Sequence, residues 1–254
     1  MTQHRKPTSL AHRPILWGSL LVSILLAGCF GGTPVERSYF SLQYPADHGW
    51  RYETPRYPDM VRVKRCESNQ AYDRQEMVYR ANPHEFQYYW YKLWASKPRK
   101  MLHEMLANHL RESNIFQEVV LDIGDRLPQY DFICEVLAIE ELNATQDEWY
   151  AHLSMRFALL RFDDGTRVWE HTFDARKPVY NRQPVYVVRT MSEIAEEQFN
   201  SAFETMDQFL AEATGAPAPA GGPHALVKQD NTETSEPTDG EDPNVPSARL
   251  KERK

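Results

Sequence analysis

The sequence predicts an α+β fold: a single domain with a mostly antiparallel or mixed sheet and two main helices packed on one face. Three observations predict it. Apolar residues recur at helical spacing in two places, several short stretches carry strand patterning, and Asp164-Gly165 sits between two strand-like runs.

The strand-like runs come first. Residues 38–44 alternate Tyr39, Phe40, Leu42 and Tyr44, and residues 60–63 and 77–80 read as two further strands. Residues 86–94 are densely aromatic and read as a short strand leading into a helix. That helix places Met101, Leu102, Met105, Leu106, His109 and Leu110 on one face, with Ser96 and Pro98 marking its start. Residues 130–142 form a long apolar strand. Residues 153–162 and 167–173 form a hairpin around the Asp-Gly turn. Residues 187–213 carry Met191, Ile194, Ala195, Ala202, Met206, Phe209 and Leu210 at helical spacing, and Gly215 ends that helix. Five to seven strands and two helices result.

The two ends of the chain differ from this domain. The first fourteen residues hold Arg5, Lys6 and Arg13 and no acid. An apolar run over residues 15–26 follows, broken only by Gly18, Ser19 and Ser23. Twelve helical residues rise roughly 18 Å, short of a hydrocarbon core of about 30 Å, so the segment reads as an export signal rather than a membrane span. It ends Leu26-Ala27-Gly28-Cys29, which resembles the lipobox of bacterial lipoproteins. That resemblance implies cleavage before Cys29 and acylation of it, and two or more acyl chains anchor stably. Residues 30–37 are then a short linker spanning at most about 28 Å. Phe30 stands where an Asp would resemble an inner-membrane retention signal, which favours the outer membrane. Residues 214–254 are rich in Pro, Gly and acids with no apolar period, and read as a disordered tail with a basic tip. The expected organisation is therefore signal 1–28, lipidated Cys and linker 29–37, domain 38–213 and tail 214–254.

The formal charge is −7, and removing the signal with its three cations leaves −10. A nucleic-acid binder would need a basic face, so that class is excluded. Cys66 and Cys134 remain after Cys29. We expect two separate buried thiols, with a bridge as the alternative that an exported chain permits.

Chemistry-bearing motifs do not converge. There is no P-loop and no Gly-x-Ser-x-Gly elbow. His103-Glu104 opens like a zincin motif, but position 107 is Ala, and His109 lies about 600° of helical rotation from His103. Both histidines are expected on the helix surface or half-buried. Asp73, Asp163 and Asp164 fit turn roles. The expectation is no catalytic residue, no metal, no cofactor and no enzymatic activity.

A set of stretches in fixed order carries a family resemblance. They are Arg37-Ser38-Tyr39-Phe40-Ser41-Leu42, then Val61-Arg62-Val63, then Tyr72-Asp73-Arg74-Gln75-Glu76-Met77-Val78-Tyr79-Arg80. Trp94-Ala95 and its helix follow, and last the strand 130–142 with the Asp164-Gly165 hairpin. Together they resemble the auxiliary lipoproteins of ABC-type transport systems, the group with the paraquat-inducible lipoprotein of MCE lipid-transport machinery. Gln75 departs from the family's frequent Pro, the approach to Trp94 is unusually aromatic, and the acidic tail is outside the pattern. The resemblance implies a fold similar to the small N-terminal domain of the Tol–Pal propeller protein. It further implies a non-motor periplasmic accessory that faces the periplasm from the outer membrane. Its implied partners are an MCE-domain protein and an inner-membrane permease with its ATPase, and a homo-oligomer is allowed. The alternative is a structural outer-membrane lipoprotein that self-assembles without handling cargo. Cys29 is the lipidation site. Tyr72, Asp73, Arg74 and Arg80 are candidate partner contacts from the loop, and Trp90 and Trp94, from the aromatic stretch, are candidates for an interface or a membrane-edge belt. For the loop the alternative is a turn held by Asp73–Arg74 or Asp73–Arg80, and for the two tryptophans it is core packing.

Overall fold

The computed structural model describes residues 35–44, 51–143, 148–181 and 183–216. The expected signal, Cys29, most of the linker and nearly all of the tail lie outside the described residues.

Among the described residues nine strands make one mixed sheet: β1 (Ser38–Phe40), β2 (Tyr57–Val63), β3 (Glu67–Ser68), β4 (Glu76–Asn82), β5 (Glu85–Trp94), β6 (Phe116–Val120), β7 (Tyr130–Asn143), β8 (Trp149–Arg161) and β9 (Arg167–Pro178). The helices are α1 (Pro98–Glu112) and α2 (Pro184–Thr214). The long ladders, β7 with β8 and β8 with β9, are antiparallel, while the short contacts of β1, β2, β3, β4 and β6 are mainly parallel.

β7 is the spine. β8 runs along one of its edges from Tyr130 to Asn143. Its other edge is shared in succession by β2 at Tyr130–Phe132, β3 at Glu135–Val136 and β4 at Glu141–Leu142. Successive side chains of a strand point to opposite faces, so Phe132, Cys134 and Val136 enter the core together. A register shift between Val136 and Ala138 then resets the alternation.

Both helices cover the core face. α1 contacts β6 and β7, and α2 contacts β8 and β9. Leu102, Leu106 and Leu110 of α1 are fully buried, as are Ile194, Phe199, Phe203 and Met206 of α2. Phe132 packs 6.1 Å from Phe203, Phe157 packs 5.7 Å from Phe199, and all join one cluster. α1 starts at Pro98, where the sequence placed it. Lys97 is the N-cap, held extended by the following Pro98, and no side chain caps the helix. α2 ends at Gly215, whose φ of 65° suits a residue without Cβ.

Three expectations need correction. β1 spans three residues rather than seven, because β5 offers it partners only at Lys92, Leu93 and Trp94. His109 is 1 % exposed, not on the surface: Tyr44 Oη lies 2.8 Å from its Nδ1 and Asn200 Oδ1 lies 2.9 Å from its Nε2. Cys66 and Cys134 are not separate thiols. Their Cα atoms lie 4.6 Å apart, inside the range a disulfide spans, and the sulfurs are bonded.

Candidate functional site

The loop before β4 is shaped by Asn69. Its Oδ1 accepts the Ala71 N–H, and its carbonyl accepts those of Tyr72 and Asp73. This turn drives Tyr72 inward, where its hydroxyl donates to Glu140 Oε2 at 2.7 Å. β4 brings Arg80 to Glu140 Oε1. β8 places His152 directly opposite Glu140, with Nδ1 2.8 Å from the same Oε1. His152 Nε2 then lies 3.0 Å from Asp174 Oδ1 on β9.

Glu140 is therefore a fully buried carboxylate with three donors from three other segments. Burial raises such a group, but hydrogen bonds from His152, Arg80 and Tyr72 outweigh it. The carboxyl is held below the ordinary glutamate value of 4.5. Burial and the bond to Glu140 push the Tyr72 hydroxyl up. The chain Asp174–His152–Glu140 has the order of an acid–base relay, yet both imidazole nitrogens are committed to carboxylates. Neither is left to take a proton from a substrate. What the arrangement does is tie the loop, β4, β8 and β9 to the spine.

Glu141 meets a different environment on the other face of the strand. Tyr89 donates to its Oε1 at 3.0 Å, while Oε2 is buried without a hydrogen-bond partner. Tyr89 stacks on Tyr79 at 4.4 Å, and Lys92 Nζ lies 3.7 Å from the Tyr89 ring centroid. Burial raises the Glu141 carboxyl, against Tyr89 and Lys92. A group raised in the fold destabilises it when ionised. Glu141→Gln is accordingly expected to stabilise the domain at pH 7 and to lose that advantage near pH 4. Urea unfolding at the two pH values checks this, and a variant less stable at pH 7 refutes it.

The other predicted residues separate. Asp73 pairs with neither Arg74 nor Arg80. It accepts from Arg99 Nε at 2.8 Å and Lys97 Nζ at 3.2 Å, pinning the loop to the start of α1. Arg74 lies 3.8 Å over the Tyr88 ring. Tyr72 and Trp94 are 4 % and 1 % exposed, so neither offers a side chain to a partner. Trp90, in contrast, is 83 % exposed. The sequence reading missed Glu140, His152 and Asp174. Two consecutive acids inside the apolar run of β7 were the signal available.

His103 lies beside the disulfide, and the ligand atoms of Cys66, Cys134 and His103 are within 4.8 Å of one another. While the sulfurs bond each other they are not thiolate ligands. A cleft of about 480 Å³ adjoins them, lined by Arg65, Lys97, Lys100, His103, Glu104 and Asp122 among others. Lys97 is already paired with Asp73, and Lys100 lies 3.8 Å from Glu104. Among the described residues no helix is long and apolar enough to cross a membrane.

Comparison with known proteins completes the picture. A family model described as the ABC-type transport auxiliary lipoprotein component matches residues 42–200. No curated protein matches the chain significantly. Among solved structures, protein XCC0632 from Xanthomonas campestris, of the DUF330 family, is similar with a TM-score of 0.60 at 15% identity. The likeness covers 70% of this chain and 99% of that one. An uncharacterised protein gives a TM-score of 0.53 at 14% identity, covering 67% of this chain and 99% of its own. At these identities the likeness shows the fold.

Proposed function

Because the chain belongs to the ABC-type transport auxiliary lipoproteins, we propose that it is a non-motor, non-enzymatic accessory of an ABC/MCE-type intermembrane lipid-transport system. In this reading Cys29 carries the lipid that holds the domain at the outer membrane, facing the periplasm. The domain docks an MCE-domain protein that connects to the inner-membrane permease and its ATPase. The observation that carries the reading is the extent of the match, which takes in nearly all of the folded domain from Leu42 into α2. The Glu140 cluster supports it, since every donor and acceptor just described there is spent on holding strands together rather than left open toward a substrate. With Tyr72 and Trp94 buried, the partner surface falls to exposed groups.

The test is a mild-detergent pull-down of the intact lipoprotein from its native membrane, read by mass spectrometry. Recovery of an MCE-domain protein or its permease is expected. Recovery of the lipoprotein alone, as a defined multimer, overturns the reading in favour of a self-assembling outer-membrane scaffold.

A further inference from the structure

β5 is ten residues long, but β1 covers only its last three. Upstream of Lys92, β5 has β4 as its partner on one edge, and among the described residues nothing pairs with the other. This free edge is unusually apolar for water. Trp90 is 83 % exposed, Tyr91 47 % and Phe86 39 %, and Tyr39 of the adjoining β1 is 58 % exposed. Single exposed apolar residues are ordinary, whereas a run of large aromatics along an unpaired strand edge marks a contact surface.

The topology indicates what covers it. β1 is parallel to β5, with Ser38 beside Lys92 and Phe40 beside Trp94. The chain therefore enters β1 from the side of Trp90 and Tyr91, and it comes from Cys29. From Lys92 back to Glu85 is seven residues, roughly 23 Å of strand at about 3.3 Å each. From Ser38 back to Cys29 is nine, with a reach of about 30 Å. An acyl group on Cys29 thus lies within linker length of the whole free edge. Trp and Tyr suit the water–lipid boundary because each presents an apolar body and a polar tip.

We propose that the free edge of β5, with Phe86, Trp90 and Tyr91 and with Tyr39 beside it, rests in the headgroup layer of the bilayer that holds the lipid anchor. The proposal rests on the anchoring at Cys29 given above. The domain then lies on its β1–β5 side, and the opposite edge of the sheet, β9, faces away from that membrane.

The experiment uses the mature full-length lipoprotein, its acylation read by intact mass, in vesicles of phosphatidylethanolamine and phosphatidylglycerol. A fraction of the lipid bears bromine on the acyl chains close to the headgroup. Bromine is expected to quench tryptophan emission in the wild-type protein, and Trp90→Phe to lose that quenching. Trp90 is a surface side chain, so the variant keeps the fold. An acylated protein whose emission bromine quenches no more than that of Trp90→Phe overturns the bilayer contact and leaves the anchor standing. Trp90→Cys cross-linking between copies in the vesicle would assign the edge to a second copy and overturn it equally. A protein without acyl mass on Cys29 overturns the anchoring reading, and the orientation falls with it.

Discussion

Replacing Glu140 by alanine is expected to destabilise the domain by about 3–5 kcal/mol, the range for breaking a buried ion pair by removing one partner. The loss does not come from the carboxylate alone. Arg80, Tyr72 and His152 all donate to Glu140, and each would keep its burial while losing its acceptor. Arg80 has the most to lose, since its Nε is already buried without a partner. Glu140→Gln keeps the shape, offers one acceptor oxygen and removes the charge, so its loss should be smaller. Glu140 also sets an acid limit. Its folded pKa lies below the ordinary 4.5, so the stability it contributes is fully present above that value. It is lost as the pH falls through the lower, folded value. Urea unfolding of the domain from pH 7 downward should show an acid-side slope that Glu140→Gln reduces. A Glu140→Ala midpoint equal to wild type would show that the cluster contributes nothing.

The same residue shows how far the sequence could be read. The helices were legible because a 3.6-residue apolar period survives over fifteen and thirty-one residues. The β8–β9 hairpin was legible because Asp164-Gly165 demands a turn, and Gly165 indeed sits at φ 69°. β3 and β6 were not. β3 is two residues long, and Phe116–Val120 is five residues without apolar alternation and with two exposed positions. At the site, the loop motif drew attention to Tyr72 and Arg80, but their acceptor lies 68 and 60 residues away. Glu140 and Glu141 look alike in the sequence. Successive strand residues point to opposite faces, so one carboxylate meets three donors while the other meets a tyrosine and a cation-capped ring. Opposite pKa shifts follow from that single step along β7. Trp90 and Trp94, four residues apart on β5, divide for another reason: β1 pairs with β5 at Trp94 and stops short of Trp90.

Opening the Cys66–Cys134 bridge is the other change expected to cost the domain several kcal/mol. The two residues are 68 positions apart in sequence, and a cross-link closing a loop of that length removes enough unfolded-state entropy to supply about 4 kcal/mol. Geometry says why the bridge matters in the native sheet as well. Cys66 stands between β2 and β3, which meet β7 only at Tyr130–Phe132 and Glu135–Val136, and Cys134 stands between those two stretches. The disulfide fills the gap in a ladder too short to hold that edge by hydrogen bonds alone. The pair Cys66→Ala and Cys134→Ala should lower the urea midpoint by an amount equivalent to roughly 2–4 kcal/mol. Wild type in a dithiol reductant should fall to nearly the same midpoint, while the alanine pair should not respond to the reductant. The alanine pair also leaves a small void, because both cysteines are almost fully buried, so the reduced wild type is the cleaner comparison. Two titratable thiols in the unfolded, unreduced protein would show that the chain does not carry the bridge. A wild-type midpoint indifferent to reduction would show that the ladder holds without it.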